Sequence, residues 1–442
     1  MSIILFLAAV NIIIEYVCVN HNFEGTAALP MKAFMDDLFL MSPSIPKSQE
    51  LLNRCVTALS WANMSFCTAK SRSMVIKKGI VSRESSFTIE DEIQLHSENI
   101  PPLHLNPIKF LGRTINSSLS DTDAIEKFIA QIIDSLKAID SSAHRGIHKV
   151  WFLHHILIPR ARWPLLIYEV SLSVVFKLEQ KISVYIRKWL KLHNSITNVA
   201  LYSSISPCPL PLKSLSSILK SSKVSGHLLL RDSSDPFVAL NVPALKSGAW
   251  KVADAVNSAE NQLEFKKILG YHQSGRAGFG SVKQQDHHPQ KGSPEYRKQV
   301  CDIIYENEDE SFQAKAVQQS LQGNWTKWCN YIKLDLSWKT LIAQPQCLIS
   351  FCIGATYNTL PAPSNLVRWN LSKDTRCSLC FKPSATIAHI LGACKIALEQ
   401  GRFTYRHDSV LGVFIRSIND FLLAYKPTLC QKSVGIKFVP EG

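Results

Sequence analysis

The sequence predicts an α+β chain that is mostly α. Three observations carry this. Residues 122–140 repeat apolar side chains at three- and four-residue steps, the period of a helix with one buried face. Strand-like patterns are short and confined to hairpin-sized pieces, foremost the apolar arms around Asp36-Asp37. A Cys-Cys-His-Cys cluster near the C-terminal end has the spacing of a small metal-stabilised module.

Taken in order, residues 2–18 read as a helix buried on most sides, because apolar residues fill nearly every position. Residues 31–44 read as a β-hairpin, with Met31–Met35 and Leu38–Met41 as arms around an Asp-Asp turn. Residues 46–68 read as a helix with Leu51, Leu52, Val56, Leu59 and Trp61 at helical spacing. Ser73–Lys77 and Lys109–Ile115 are short strand candidates. In the helix at 122–140, Ile125, Phe128, Ile129, Ile132, Ile133, Leu136 and Ile139 form the inward stripe. Residues 145–193 predict one or two further helices, broken near Pro159 and Pro164, since proline removes a donor and crowds the preceding turn. On the second of these, Leu178, Ile182, Tyr185, Ile186 and Trp189 face inward, and Lys177, Lys181 and Lys188 lie opposite. Pro207-Cys208-Pro209-Leu210-Pro211 marks a rigid connector. Residues 272–296 read as a mobile loop. Its Gly275-Arg276-Ala277-Gly278-Phe279-Gly280 run follows no predicted strand, which argues against dinucleotide binding. Asp286-His287-His288 reads as loop polarity.

The 442 residues suffice for two to four domains, and the net charge of +14 favours a polyanionic partner, nucleic acid first and an acidic membrane second. The charge is uneven: residues 1–100 carry a net −2, residues 101–250 a net +9 and residues 251–442 a net +7. Between Arg145 and Lys191 there are nine Lys or Arg against Glu169 and Glu179. A basic helical face of this kind suits a duplex backbone, and equally a solvated outer face. The twelve cysteines lack a disulfide framework and read as thiols of an intracellular protein. The apolar run Ile3–Val19 has no basic residue ahead of it and is interrupted by Asn11 and Glu15. It reads as a buried helix rather than a leader or span, and no membrane association is expected.

Two motifs carry chemistry. Adjacent carboxylates at Asp36 and Asp37 most often make a turn. Against a divalent cation they would instead be oxygen ligands, the cation relieving their mutual repulsion. Cys377-x2-Cys380-x8-His389-x4-Cys394 is far more specific, since two thiolates in a tight knuckle followed by His and Cys can close a tetrahedron around zinc. With four protein ligands no position stays open, so such a zinc is structural.

The order of motifs resembles the reverse transcriptases of non-LTR retrotransposons that carry a restriction-enzyme-like endonuclease. Phe34-Met35-Asp36-Asp37-Leu38 is similar to their aromatic-x-Asp-Asp box, Lys70 to a lysine near the incoming triphosphate, and Phe110-Leu111-Gly112 to the turn that grips the primer. Residues 2–17 resemble the helix after the Gln-Gly-Asp-Pro-Leu-Ser motif. Downstream, Trp163-Pro164-Leu165, Tyr168-Glu169 and Arg187-Lys188-Trp189-Leu190 look like the thumb. Gln322-Gly323-Asn324-Trp325 and Leu360-Pro361-Ala362-Pro363 continue the likeness. The resemblance spans residues 2 to about 415. It implies a partial palm at 1–115, a helical thumb at 116–200, a helical linker region at 201–360, a zinc knuckle at 361–410, and the truncated start of an endonuclease-like region at 411–442. It implies Asp36 and Asp37 as catalytic Mg²⁺ ligands, Lys70 as nucleotide-binding, Phe110, Leu111 and Gly112 as primer grip, and Lys177, Lys181, Arg187 and Lys188 as nucleic-acid-binding residues. Cys377, Cys380, His389 and Cys394 are the zinc ligands. The implied partners are RNA and DNA, as template-primer and target, and the implied location is the nucleus.

The chain departs from the family's pattern. The earlier catalytic Asp, the fingers and the Gln-Gly-Asp-Pro motif are not found, since Glu15 and Glu24 are the only acidic residues before residue 31. Up to Val439-Pro440-Glu441-Gly442 no nuclease carboxylate set is found either. The expectation is an RNA-directed DNA polymerase fragment, inactive alone. The alternative is a non-catalytic nucleic-acid-binding protein.

Overall fold

The structure, a computed structural model, describes residues 3–18, 31–82, 87–91, 96–240, 242–244, 246–269, 271–275, 278–282, 289–328, 334 and 336–425. It is mostly helical, with small two-stranded antiparallel sheets. The chain divides into two compact units, Met1–Trp189 with Pro211–Phe312, and Leu190–Leu210 with Gln313–Gly442.

The first unit begins with α1 (Ile3–Cys18). Its Val10, Ile13 and Val17 are buried at helical spacing, while Ile12 and Tyr16 are exposed beside Asn11 and Glu15. Burial on most sides was expected; among the described side chains of α1 the buried ones lie on one face. No described helix is long and apolar enough to cross a membrane. Strands β1 (Met31–Phe34) and β2 (Asp37–Leu40) pair with Phe34 opposite Asp37. The two-residue loop is thus Met35-Asp36, with Met35 at φ +54°, one residue earlier than the Asp-Asp turn expected.

Helix α2 (Ile45–Trp61) starts after an extended Ser44 with a proline in its first turn. It is the keystone of this region. Leu51, Cys55, Ala58 and Leu59 pack with Ile13, Val17 and Met31, while Leu52 and Val56 pack against Phe87, Ile89 and Ile100. Burial of each large apolar side chain contributes roughly 1.5–3 kcal/mol. Trp61, expected on the inward stripe, ends the helix exposed. Three further hairpins follow: β3 (Val75–Lys77) with β4 (Ile80–Ser82), β5 (Phe87–Asp91) with β6 (His96–Ile100), and β7 (Ile108–Phe110) with β8 (Arg113–Ile115).

Helix α3 (Thr122–Ser141) buries Phe128, Ile132 and Leu136. Helix α4 (Gly146–Phe152) runs through a π-turn at Leu153–Leu157 into α5 (Ile158–Ile167). Neither proline breaks the run: Pro159 directly follows the π-turn, and Pro164 is accommodated inside α5. The break falls instead at 168–171, before α6 (Leu172–Trp189). Asp140 ties α3 to α6, accepting from Lys188 Nζ at 2.7 Å and Trp189 Nε1 at 2.9 Å.

After the short α7 (Val199–Tyr202), α8 (Leu215–Arg231) begins on Ser214, whose hydroxyl accepts from the Ser217 N–H. Glu179 of α6 is buried, and its carboxylate accepts from the N–H and hydroxyl of Ser216 in the first turn of α8, where a helix dipole favours an anion. Lys223 of α8 is buried too, and its ammonium donates to the carbonyls of Leu166 and Tyr168 at the end of α5. Burial pulls its pKa down, partly opposed by Glu169 and Asp121. Then come α9 (Pro236–Leu240), β9 (Lys246–Ser247), β10 (Trp250–Lys251) and α10 (Val252–Leu269). Residues 271–275 and 278–282 form a hairpin, β11 with β12. A strand thus does precede the glycine run, but it leads into a partner strand and not a helix, which still excludes a dinucleotide fingerprint. Arg276, Ala277 and Asp286-His287-His288 lie outside the described residues. Helix α11 (Pro294–Gln318) packs Tyr296, Val300, Ile303 and Ile304 with Val224, Leu228, Val256 and Leu263 of α8 and α10.

In the second unit, a 3-10 turn at Asn324–Lys327 buries Trp325 against Tyr357, with ring centroids 5.9 Å apart. Helices α12 (Trp338–Ala343), α13 (Gln346–Thr356) and α14 (Pro363–Arg368) follow. Tyr357 donates to Ser206 Oγ at 2.9 Å, and Gln322 bonds the backbone at Thr197 and Ser195, which fixes the 190–210 segment within this unit. The His193 ring stacks on Trp369 at 3.6 Å. The remaining elements are a π-turn at His389–Ala393, α15 (Lys395–Glu399) and α16 (Thr404–Tyr425).

Candidate functional site

Cys377, Cys380, His389 and Cys394 converge, with one ligand atom of each within 4.8 Å of the others. Cys377 Sγ lies 4.0 Å from Cys394 Sγ, and Cys380 Sγ lies 3.2 Å from His389 Nε2. A tetrahedral zinc with Zn–S bonds of about 2.3 Å separates two sulfurs by roughly 3.8 Å, so the spacing suits such an ion. Cys377, His389 and Cys394 are buried, and Cys380 is half-buried.

The local backbone explains the convergence. Phe381, at φ +57°, reverses the chain after Cys380, and its N–H donates to the Cys377 carbonyl at 2.9 Å. The Cys377 N–H in turn reaches Lys382 O at 3.0 Å. Backbone N–H groups of Cys380 and Leu379 hold the Cys377 thiol well below its ordinary range, which favours the thiolate a metal requires. Cys380 runs the other way. The backbone at Lys382 favours its thiolate, but burial and the Cys377 and Cys394 sulfurs outweigh this and raise it. His389 and Cys394 are five residues apart, which on an ideal α-helix leaves them about 140° out of phase. The π-turn over His389–Ala393 closes one residue wider and aims both inward. The His389 N–H is received by Thr386 Oγ1 at 3.3 Å. Sequence pattern pointed to neither Thr386 nor Phe381. The signal available was the Thr-x-x-His spacing of an N-cap.

The module is tied to its unit by Ala385, whose N–H donates to Thr375 O and whose carbonyl accepts from Ser364 of α14. Lys382, Lys395, Arg402 and Arg406 are exposed around it. Arg376 is exposed but paired in two-pronged fashion with Asp374.

The other predicted residues are placed differently. Asp36 and Asp37 are exposed at the β1–β2 tip. Among the described residues no further Asp, Glu, His or Cys joins them in a cluster that could hold an ion. Mg²⁺ takes six oxygen ligands, so two carboxylates would leave most of its octahedron to water or phosphate. Lys70 is exposed in the turn after α2. Phe110 is half-buried, and its ring lies 6.0 Å from that of Phe39, so the Asp36–Asp37 hairpin and the Phe110-Leu111-Gly112 hairpin are neighbours. Leu111 (φ +46°) and Gly112 (φ +80°) form the two-residue loop, both left-handed as a type I′ turn requires. On α6, Lys177 and Lys181 are exposed one turn apart. Lys188 is engaged by Asp140, and Arg187 is half-buried. Glu179, counted in sequence among the charges of this region, is withdrawn into the core. The ten described cysteines are free thiols. No protein-family model matches the chain, and no curated protein matches it.

Proposed function

We propose that the chain is a portion of a non-LTR retrotransposon reverse transcriptase that, on its own, binds nucleic acid through basic surfaces and a structural zinc knuckle. The observation that carries the binding reading is the convergence of Cys377, Cys380, His389 and Cys394 into a closed donor set with exposed Lys382, Lys395 and Arg402 around it. Zinc held by these four residues would cross-link the 377–394 loop and act structurally, because no coordination position is left for a reacting group. The polymerase origin rests on the order of motifs from Phe34-Met35-Asp36-Asp37 onward. The adjacency of the two hairpins through Phe39 and Phe110 supports it. Template-primer RNA and DNA are the partners, and the nucleus is the place of action.

Among the described residues no further ligand joins Asp36 and Asp37 to make a two-metal site, and on this reading the polypeptide alone catalyses no polymerisation. Misplacement of reacting groups by about 1 Å already costs about 10²-fold in rate. Primer extension on an RNA template tests this. No incorporation is expected, and incorporation abolished by Asp36→Ala with Asp37→Ala would contradict it. For the binding reading, affinity for duplex DNA should fall steeply with salt. Lys177→Ala with Lys181→Ala should shallow the log–log slope by about 0.9 for each phosphate no longer neutralised. An affinity insensitive to salt would overturn it.

A further inference from the structure

Trp163 is set unusually for a large aromatic residue. It lies on α5 with half of its surface in water. Its indole is nevertheless held in place: a Cβ at Gly112 would stand 2.6 Å from Trp163 Nε1 and 3.2 Å from Cδ1, so the bare backbone of the left-handed Leu111-Gly112 turn lies directly against the pyrrole edge. That turn is itself clamped. The Thr114 N–H donates to Tyr168 Oη at 3.0 Å, and Asp121 accepts from Arg113 at 3.1 Å and from the Glu169 N–H at 3.0 Å. Lys223 holds the carbonyls at the end of the same helix. A flat ring is thus held at its pyrrole edge by backbone while half of the residue stays exposed. Arg160, three residues earlier and hence on the same helical face, is exposed, as are Leu111 and Lys109 of the neighbouring hairpin. An ordered aromatic surface with cations beside it is what an unpaired nucleobase and its phosphate recognise.

We propose that Trp163 is a stacking platform for an unpaired nucleobase of single-stranded nucleic acid, with Arg160 and Lys109 placed to meet its phosphates. The inference rests on the nucleic-acid-binding reading above and adds to it a residue and a preference for exposed bases. The ring is pre-set, so little ordering is needed on binding. The cationic neighbours make a nucleic acid strand a better fit than an apolar peptide.

The test uses the full chain, with a short oligothymidylate, an oligouridylate and a blunt DNA duplex, each followed by fluorescence anisotropy. One base stacked on an aromatic ring corresponds to roughly 5- to 150-fold in affinity. Trp163→Ala should therefore weaken single-strand binding about tenfold or more while leaving the blunt duplex unchanged, and Trp163→Phe should restore most of the loss. Loss on either the DNA or the RNA strand supports the platform and tells which sugar it tolerates. A strand carrying 2-aminopurine should be quenched when bound to the wild-type chain and not when bound to Trp163→Ala. Equal single-strand affinity of wild type and Trp163→Ala overturns the proposal, and so does a saturated wild-type complex without quenching. The wild-type readout stays decisive even where the alanine variant does not fold. Salt-dependent binding that survives Trp163→Ala undiminished removes the platform alone, whereas a wild-type chain that binds none of the three probes removes the binding reading with it.

Discussion

The Cys377–Cys394 knuckle and the Asp36-Asp37 hairpin start from the same sequence logic, ligand-type residues at suggestive spacing, and end differently in the structure. In the knuckle, four donors from a single short segment converge, three of them buried. In the hairpin, two carboxylates sit exposed, and among the described residues no further donor joins them. The difference is one of locality. A site whose ligands all lie within 18 residues can be assembled by one knuckle, one π-turn and one cap. A site built from carboxylates on separate strands would depend on the fold around it. The knuckle therefore carries its own geometry, and a pair of adjacent carboxylates does not.

The largest effect is expected from metal removal. Structural zinc binding is worth roughly 10–16 kcal/mol in small zinc modules, so a strong chelator or Cys394→Ser should unfold the 374–403 region. Hydrogen exchange would show protection lost there and retained in α3, α6 and α8. Uniform protection would sink the idea of a metal-dependent module. Next, Gly112→Ala forces an L-residue into φ +80° and a Cβ into the Trp163 indole. It should cost about 1–3 kcal/mol in urea unfolding, and a neutral result would mean the turn is not clamped as described. Thr386→Val removes the acceptor for the His389 N–H. It should cost about 0.5–2 kcal/mol, as lost caps do, with retention of zinc in weakened form. The smallest effect belongs to the hairpin. Asp36→Ala with Asp37→Ala should change stability by no more than about 0.5 kcal/mol, and added Mg²⁺ should leave the wild-type melting temperature unmoved. A Mg²⁺-dependent rise in melting temperature that the double variant lacks would reveal a site there after all.

Much of this was legible from residue pattern. The stripe from Ile125 to Ile139 gave α3 nearly to its ends, because helical periodicity is local. The knuckle ligands were legible because Cys and His spacing is itself the geometry. What escaped depended on tertiary context. The loop at Met35-Asp36 is set by the pairing of Phe34 with Asp37 and by Met31, which is buried with α2. Pattern alone did not foresee a methionine at positive φ. Pro164 was expected to end a helix, yet the preceding π-turn already makes this stretch irregular, and the chain breaks four residues later. In sequence Glu179 is only one of two acidic charges in its region, and Ser216, 37 residues away, explains its burial. Lys188 likewise looked free for phosphate until Asp140 was placed beside it.

The most direct measurement is the metal content of the purified full chain after dialysis against Mg²⁺-containing buffer, read by elemental analysis alongside Cys377→Ser. One tightly held zinc per wild-type chain, absent from the variant, is the result expected of an assembled knuckle. A wild-type chain that carries no zinc yet keeps the 374–403 region protected from exchange would contradict it.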